Sequence, residues 1–182
     1  MMIPTTNPRL ISTILMLTLI NLVSCTEEYD ECFYLTDEIV TKVYQLDHFT
    51  QIETFVPGEY TFKQGKNHKI EITGHPRYLD SLNNYVNYET LSISNRFPFC
   101  ENKAQLKIEI TAPKIKDLFI DAESKVTIKD FVNQDDLNIN LSKKSFLEIN
   151  RFQGMRKFFM LMRDDTTINA NTLLEEIDSL QV

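Results

Sequence analysis

Apolar and polar residues alternate along most of the chain, a period of two that predicts β-strands with one side covered. From Thr36 to Gly74 the apolar positions include Ile39, Val43, Phe49, Ile52, Phe55, Tyr60, Phe62, Ile70 and Ile72, separated by polar residues. Pro57-Gly58 and Gln64-Gly65-Lys66-Asn67 punctuate this stretch as turns. The period then changes. His75-Pro76 leads into Tyr78, Leu79, Leu82, Tyr85 and Val86, whose i, i+3, i+4, i+7 spacing predicts a short amphipathic helix over 76–86 with proline in its first turn. Alternation resumes in Thr90-Leu91-Ser92-Ile93-Ser94.

The second half repeats itself. Short alternating segments begin at Leu118, Leu137, Phe158 and Ile177, spaced 19, 21 and 19 residues apart. Each of the first three is followed by a second short strand, Val126-Thr127-Ile128, Leu147-Glu148-Ile149 or Thr167-Ile168-Asn169, across a polar corner such as Glu123-Ser124-Lys125, Ser142-Lys143-Lys144 or Arg163-Asp164-Asp165. A period near 20 suits a β-solenoid, in which each rung covers its inner side chains by stacking on its neighbours and strands run parallel from rung to rung. The repeat register favours the solenoid over the alternative, a β-sandwich meander. The expected fold is therefore all-β.

The amino terminus has a different pattern. Arg9 precedes an apolar run from Leu10 to Val23 that is too short to span a bilayer, and the acidic stretch Glu27, Glu28, Asp30, Glu31 follows almost at once. The run closes on Leu22-Val23-Ser24-Cys25, which looks like a lipobox. The organisation expected is a lipoprotein signal peptide over 1–24, a lipid-bearing Cys25, an acidic tether over 25–35, and one domain over 36–182. Acidic residues directly behind the cysteine also resemble a signal for export to the cell surface, and a solvated tether would look the same.

Composition and charge narrow the partners. The 182-residue chain has a formal net charge of −7, which loss of Arg9 with the signal would make −8. Such a surface repels nucleic acid and anionic lipid, so no nucleic-acid partner is expected and the membrane is reached through lipid on Cys25. Cys32 and Cys100 remain as an even pair in an oxidising compartment, where a disulfide between them would stabilise the fold by about 4 kcal/mol on the chain-entropy account. Two free buried thiols are the alternative. A metal site is not expected, because no histidine lies near either cysteine in sequence.

Several segments together resemble a known family. They are Cys32-Phe33, Asp47-His48-Phe49-Thr50-Gln51-Ile52-Glu53, Ile70-Glu71-Ile72-Thr73-Gly74, Leu91-Ser92-Ile93, a second cysteine, and Lys107-Ile108-Glu109-Ile110-Thr111-Ala112-Pro113-Lys114-Ile115 followed by regular strand repeats. The pattern is similar to the head GIN domain family of auto-transporter adhesins and covers most of the chain beyond Cys25. The resemblance implies a small exported lipoprotein built on a right-handed parallel β-helix, with an activity largely undefined. Two departures stand out. Family corners commonly turn on Gly-Ser-Gly triplets, whereas those here read Ala122-Glu123-Ser124 and Leu141-Ser142-Lys143, so they are expected to be wider or to keep φ below zero. The fourth repeat has only begun at Ile177 when the sequence reaches Val182, which suggests a short or degenerate member.

Catalytic chemistry is not visible. The carboxylate pairs Glu27/Glu28, Asp135/Asp136, Asp164/Asp165 and Glu175/Glu176 are sequence neighbours, and neighbours on a strand point to opposite faces. They read as solvated corners and lack the dense spacing of a calcium loop. His48, His68 and His75 show no ligand spacing and are expected at the surface. Arg151, Arg156, Lys157 and Arg163, interleaved with Phe152, Phe158 and Phe159, form a candidate stripe for an acidic glycan, although a locally basic solvated face would read the same. The function expected is a non-enzymatic, lipid-anchored envelope protein of the outer membrane, facing the surface or the periplasm, that binds a glycan or an envelope protein or serves as a structural module. A carbohydrate-active or glycan-binding β-helix is the alternative. No cofactor is expected.

Overall fold

Strand-forming sequence dominates the molecule, as β-branched and aromatic residues at alternating positions dictate. The computed structural model describes residues 38–96, 106–129, 131–150, 152–170 and 177–181. All of them belong to one compact unit, residues 34–182. In chain order the elements are β1 (Val40–Gln45), β2 (Gln51–Thr54), β3 (Gly58–Gln64), β4 (Lys69–Gly74), α1 (Pro76–Ser81), β5 (Leu82–Asn87), β6 (Thr90–Asn95) and β7 (Lys107–Ala112). There follow β8 (Asp117–Ile120), β9 (Ser124–Lys129), β10 (Phe131–Val132), β11 (Asp136–Leu141), β12 (Phe146–Ile149), β13 (Phe152–Gln153), β14 (Met155–Met162), β15 (Thr167–Ala170) and β16 (Ile177–Gln181).

The fold is all-β, and among the described residues the strands form two mixed seven-stranded sheets and no closed barrel. The first sheet runs β1-β4-β7-β3-β9-β12-β15, the second β16-β14-β11-β8-β2-β6-β5, and β10 pairs with β13 in a small third sheet. From β8 onward the chain visits the second sheet, the first and the third in turn, and each strand lies parallel to its counterpart one repeat later. Leu118 stands opposite Ile139, Leu137 opposite Phe158 and Val126 opposite Leu147, each pair 21 residues apart. The sequence spacing had matched Leu118 with Leu137. The true register is two residues longer, which keeps every side chain on its face because the side-chain period is two.

One pairing departs from chain order. β2 lies between β6 and β8, and β3 lies between β7 and β9, all parallel. The segment 51–64 is thus inserted between strands that follow one another in sequence. Antiparallel strands flank this arrangement: β1 on β4, β4 on β7, and β5 on β6.

The inner faces build the core as ladders. Ile70, Ile110, Phe62, Ile128 and Ile149 are side by side across the first sheet, and Leu91, Ile52, Leu118, Ile139 and Met160 across the second. All are buried. Burying each such side chain stabilises the fold by roughly 1.5–3 kcal/mol.

Two expectations need correction. The helix stops at Ser81, because Leu82 is already extended and residues 82–87 pair with β6. Tyr85 therefore points outward from a strand instead of lying on a helical apolar face. The corner Ala122-Glu123-Ser124 keeps φ below zero, but the next one does not at Lys143, and its neighbour Lys144 and the following corner's Asp164-Asp165 share that conformation. These last four residues are left-handed, with φ between 55° and 57°, and no glycine is present. Lys144 N donates to Asp164 O at 2.8 Å, so the two corners stack.

Candidate binding face

The inward ladders leave two outward faces, and their chemistry differs. On the first sheet the outward positions alternate lysine, glutamate and threonine. Glu71, Glu109, Thr61, Thr127 and Glu148 lie in one cross-strand row, and Thr73, Lys107, Glu59 and Lys125 in the next. Lys63 bonds Glu109 and Lys69 bonds Glu71, so part of this charge is closed within the face. A shallow, open depression of about 300 Å³ lies among Glu59, Lys125, Thr127, Lys129 and Glu148. Glu59 and Glu148 stand on β3 and β12 with β9 between them, which places their backbones roughly 12 Å apart.

The second sheet carries aromatic rings outward. Phe119 on β8 and Phe55, just beyond β2, meet edge to face with centroids 5.9 Å apart. Phe159 on β14 is 41% exposed and Phe55 46%. Between the rings stand polar groups in register: Glu53, Phe119, Asn140 and Leu161 form one row, and Gln51, Asp117, Asn138 and Phe159 the next. Asn138 Nδ2 donates to Asp117 Oδ1 at 2.7 Å, and Thr90 Oγ1 donates to Gln51 Oε1 at 3.0 Å.

Of the basic stripe, Arg156, Lys157 and Arg163 are exposed on or beside β14, while Arg151 lies outside the described residues. Arg156 grips Asp136 with Nε at 3.0 Å and its terminal nitrogen at 3.1 Å. Lys114 similarly meets Asp135 at 2.6 Å and holds that carboxyl below its usual range. The Asp135/Asp136 pair is thus divided between two cations. At the neighbouring corner Ser142, and after it Lys143, donate to Asp121 and lower its pKa. Cys25, Cys32 and Cys100 lie outside the described residues.

The histidines are not all at the surface. His75 is buried, and its Nδ1 accepts from Arg77 N to cap α1, a role that its place just before proline makes legible in retrospect. His48 and His68 meet edge to face at 4.8 Å. Burial first, and then the nearby His48, push the pKa of His68 down. Among the described residues no cluster of three or more His, Cys, Asp or Glu could hold a metal ion.

Sequence reasoning missed the aromatic face, and its signal was present. Leu118-Phe119-Ile120 and Phe158-Phe159-Met160-Leu161-Met162 are unbroken apolar runs where alternation requires polar residues. Such a run in a strand is apolar on both sides.

A family profile described as "Putative auto-transporter adhesin, head GIN domain" matches residues 48–156, which contain both sheets' central strands. The chain belongs to this family. Solved structures share the fold of this head GIN domain protein. A "putative adhesin" from Bacteroides fragilis superposes with a TM-score of 0.67 at 18% identity, covering 73% of this chain and 62% of its own. A "putative adhesin" from Parabacteroides distasonis gives a TM-score of 0.62 at 11% identity, covering 72% and 56%. A "putative lipid binding protein" from the same species gives 0.56 at 14%, covering 74% and 61%. The head GIN domain chain thus spans less than two thirds of the length of each. No curated protein matches it. No helix among its described residues is long and apolar enough to cross a membrane.

Proposed function

We propose that this head GIN domain protein is an exported, lipid-anchored, non-catalytic binding module of the cell envelope, presenting a short right-handed parallel β-helix to its surroundings. The observation that carries the reading is the outward face of the second sheet, where partly exposed rings and hydrogen-bonding side chains are held in rows by parallel strands. Exposed aromatic surface is costly in water unless a partner covers it. Membership of a family described as adhesins supports the same direction. The β-helix is supported by the chain's passage from sheet to sheet and by the parallel 21-residue register. A meander sandwich would pair successive strands antiparallel.

Anchoring rests on the apolar run ending at Cys25, and the acidic residues behind it favour the cell surface. In cells labelled with a fatty acid, the wild-type chain should carry label and sediment with membranes, whereas Cys25→Ala should lose the label and become soluble. Equal labelling and sedimentation of the two would contradict the anchor. Protease added to intact cells should cleave the chain, and protection until lysis would place it on the periplasmic side. Arg156 and Lys157 on β14, and Arg163 just beyond it, would contribute to the margin of the binding face.

A further inference from the structure

The binding-module reading leaves the ligand open, and the second sheet's outer face restricts its chemistry. We propose that this face is a platform for an extended, uncharged polysaccharide, an assignment that rests on the binding-module reading. Phe55, Phe119 and Phe159 offer ring surfaces against which the C–H faces of sugar rings stack, and Asp117, Asn138 and Asn140 offer hydrogen-bonding groups beside them.

Four features carry the inference. The rings alternate with polar groups: Phe119 meets Phe55 edge to face yet is flanked in register by Glu53 and Asn140, and Phe159 has Asn138 opposite it. A protein partner is better served by a contiguous apolar centre, whereas rings alternating with amides and carboxylates match a ligand whose every unit has an apolar face and a hydroxyl rim. The polar groups also have capacity to spare. The Asn138–Asp117 bond uses one amide hydrogen and one carboxylate oxygen of the several that these side chains offer, and both residues occupy outward positions of the sheet.

Charge decides between neutral and acidic polymers. Glu53 and Asp117 stand among the rings, while the cations Arg156, bonded to Asp136, and Lys157 lie at the margin beyond Phe159. With the chain at −7 overall, a polyanion meets repulsion at the centre of the face. The dimensions favour a polymer over a single sugar. Phe119 and Phe159 lie on strands two places apart, about 10 Å across the sheet, so one ligand touching both must run across the strands. The first sheet lacks this combination, since its outward rows are mostly lysine, glutamate and threonine, some of which bond one another.

The test is affinity electrophoresis of the full chain, purified in a non-ionic detergent, through gels containing a neutral glucan, a neutral mannan or polygalacturonate. Retardation by a neutral polymer and none by polygalacturonate is expected. Phe119→Ala should weaken retardation at least tenfold. Asn140→Arg, which leaves the core untouched and places a bulky cation between the rings, should do the same, while Thr41→Arg on the first sheet should leave it unchanged. Circular dichroism verifies that each variant is folded. Free passage through both neutral polymers, retardation by polygalacturonate alone, or full retardation of folded Asn140→Arg would overturn the assignment. If Cys25→Ala abolishes anchoring while neutral polymers leave the wild type unretarded, the anchored module stands and the polysaccharide falls.

Discussion

At the residue scale, the core contains a polar knot that apolar patterning does not disclose. Tyr60 is buried, and its hydroxyl donates to Val56 O at 2.5 Å. Thr54 must then donate to the Tyr60 oxygen at 2.7 Å while accepting from Val56 N at 3.3 Å. Burial holds the phenol well above its ordinary pKa, so it stays a donor throughout the physiological range. Tyr60→Phe strands the Thr54 hydroxyl and the Val56 carbonyl, and should cost about 1–3 kcal/mol by urea denaturation. The left-handed corner residues are a second local feature. Lys144 is exposed at φ 56°, where a side chain costs roughly 1–2 kcal/mol that glycine avoids. Allowing for the entropy glycine gains on unfolding, Lys144→Gly should raise stability by roughly 0.5 kcal/mol, read as a higher urea midpoint at unchanged slope.

Asp121 gives a pH dependence whose sign follows from its neighbours. Ser142 and Lys143 hold its pKa below the usual 3.8, so its contribution is complete above that value and is lost as pH falls through the lower folded-state value. Ser142→Ala removes the larger cause. A carboxyl NMR titration should then show the Asp121 midpoint moving up towards 3.8, and an unchanged midpoint would reject the hydrogen bond as its cause. None of this was legible in sequence, because Asp121 and Ser142 are 21 residues apart and meet only through the repeat register.

At the element scale, the strands were legible and their ends were not. Alternation located the paired strands of each repeat, since a side chain that must face a core writes its period into the sequence. It misplaced the end of α1 because Tyr78, Leu79, Leu82, Tyr85 and Val86 fit a helical face as well as they fit a helix that gives way to a strand. Asn83-Asn84, poor in helix propensity, and the partner β6 decide for the strand. Two glutamines then join segments that share no ladder with one another. Gln64 accepts from Val132 N at 3.0 Å and donates to Val132 O at 2.9 Å, standing in for a strand neighbour. Gln134, almost fully buried, treats Ile115 in the same way and also donates to Asp136 O at 3.1 Å. Gln134→Leu leaves the Ile115 backbone groups unsatisfied in the interior and should lower stability by at least ~2 kcal/mol, measured by thermal unfolding.

At the scale of the whole molecule, the insertion of β2 and β3 between the strands of later segments was the hardest feature to foresee. Repeats were sought between neighbours in sequence, whereas Ile52 stands opposite both Leu91 and Leu118, and Tyr60 opposite both Ile108 and Val126. Nothing in local patterning encodes which distant strand a segment joins, only that both its neighbours must cover it. The same assembly creates the candidate face, since Phe55 reaches Phe119 only because β2 lies beside β8. The basic stripe, by contrast, was readable as a run of residues, but its pairing with Asp136 was not.

The central claim is that the outward side of the second sheet is where this protein meets its ligand. Aromatic ¹H–¹³C NMR spectra recorded while a neutral oligosaccharide is titrated in would test it most directly. The expected result is that the ring signals of Phe55, Phe119 and Phe159 shift together in a saturable way while those of the buried Phe49 and Phe62 stay fixed. No ring shifts at saturating sugar, or shifts of the buried Phe49 and Phe62 equal to those of the outward rings, would contradict it.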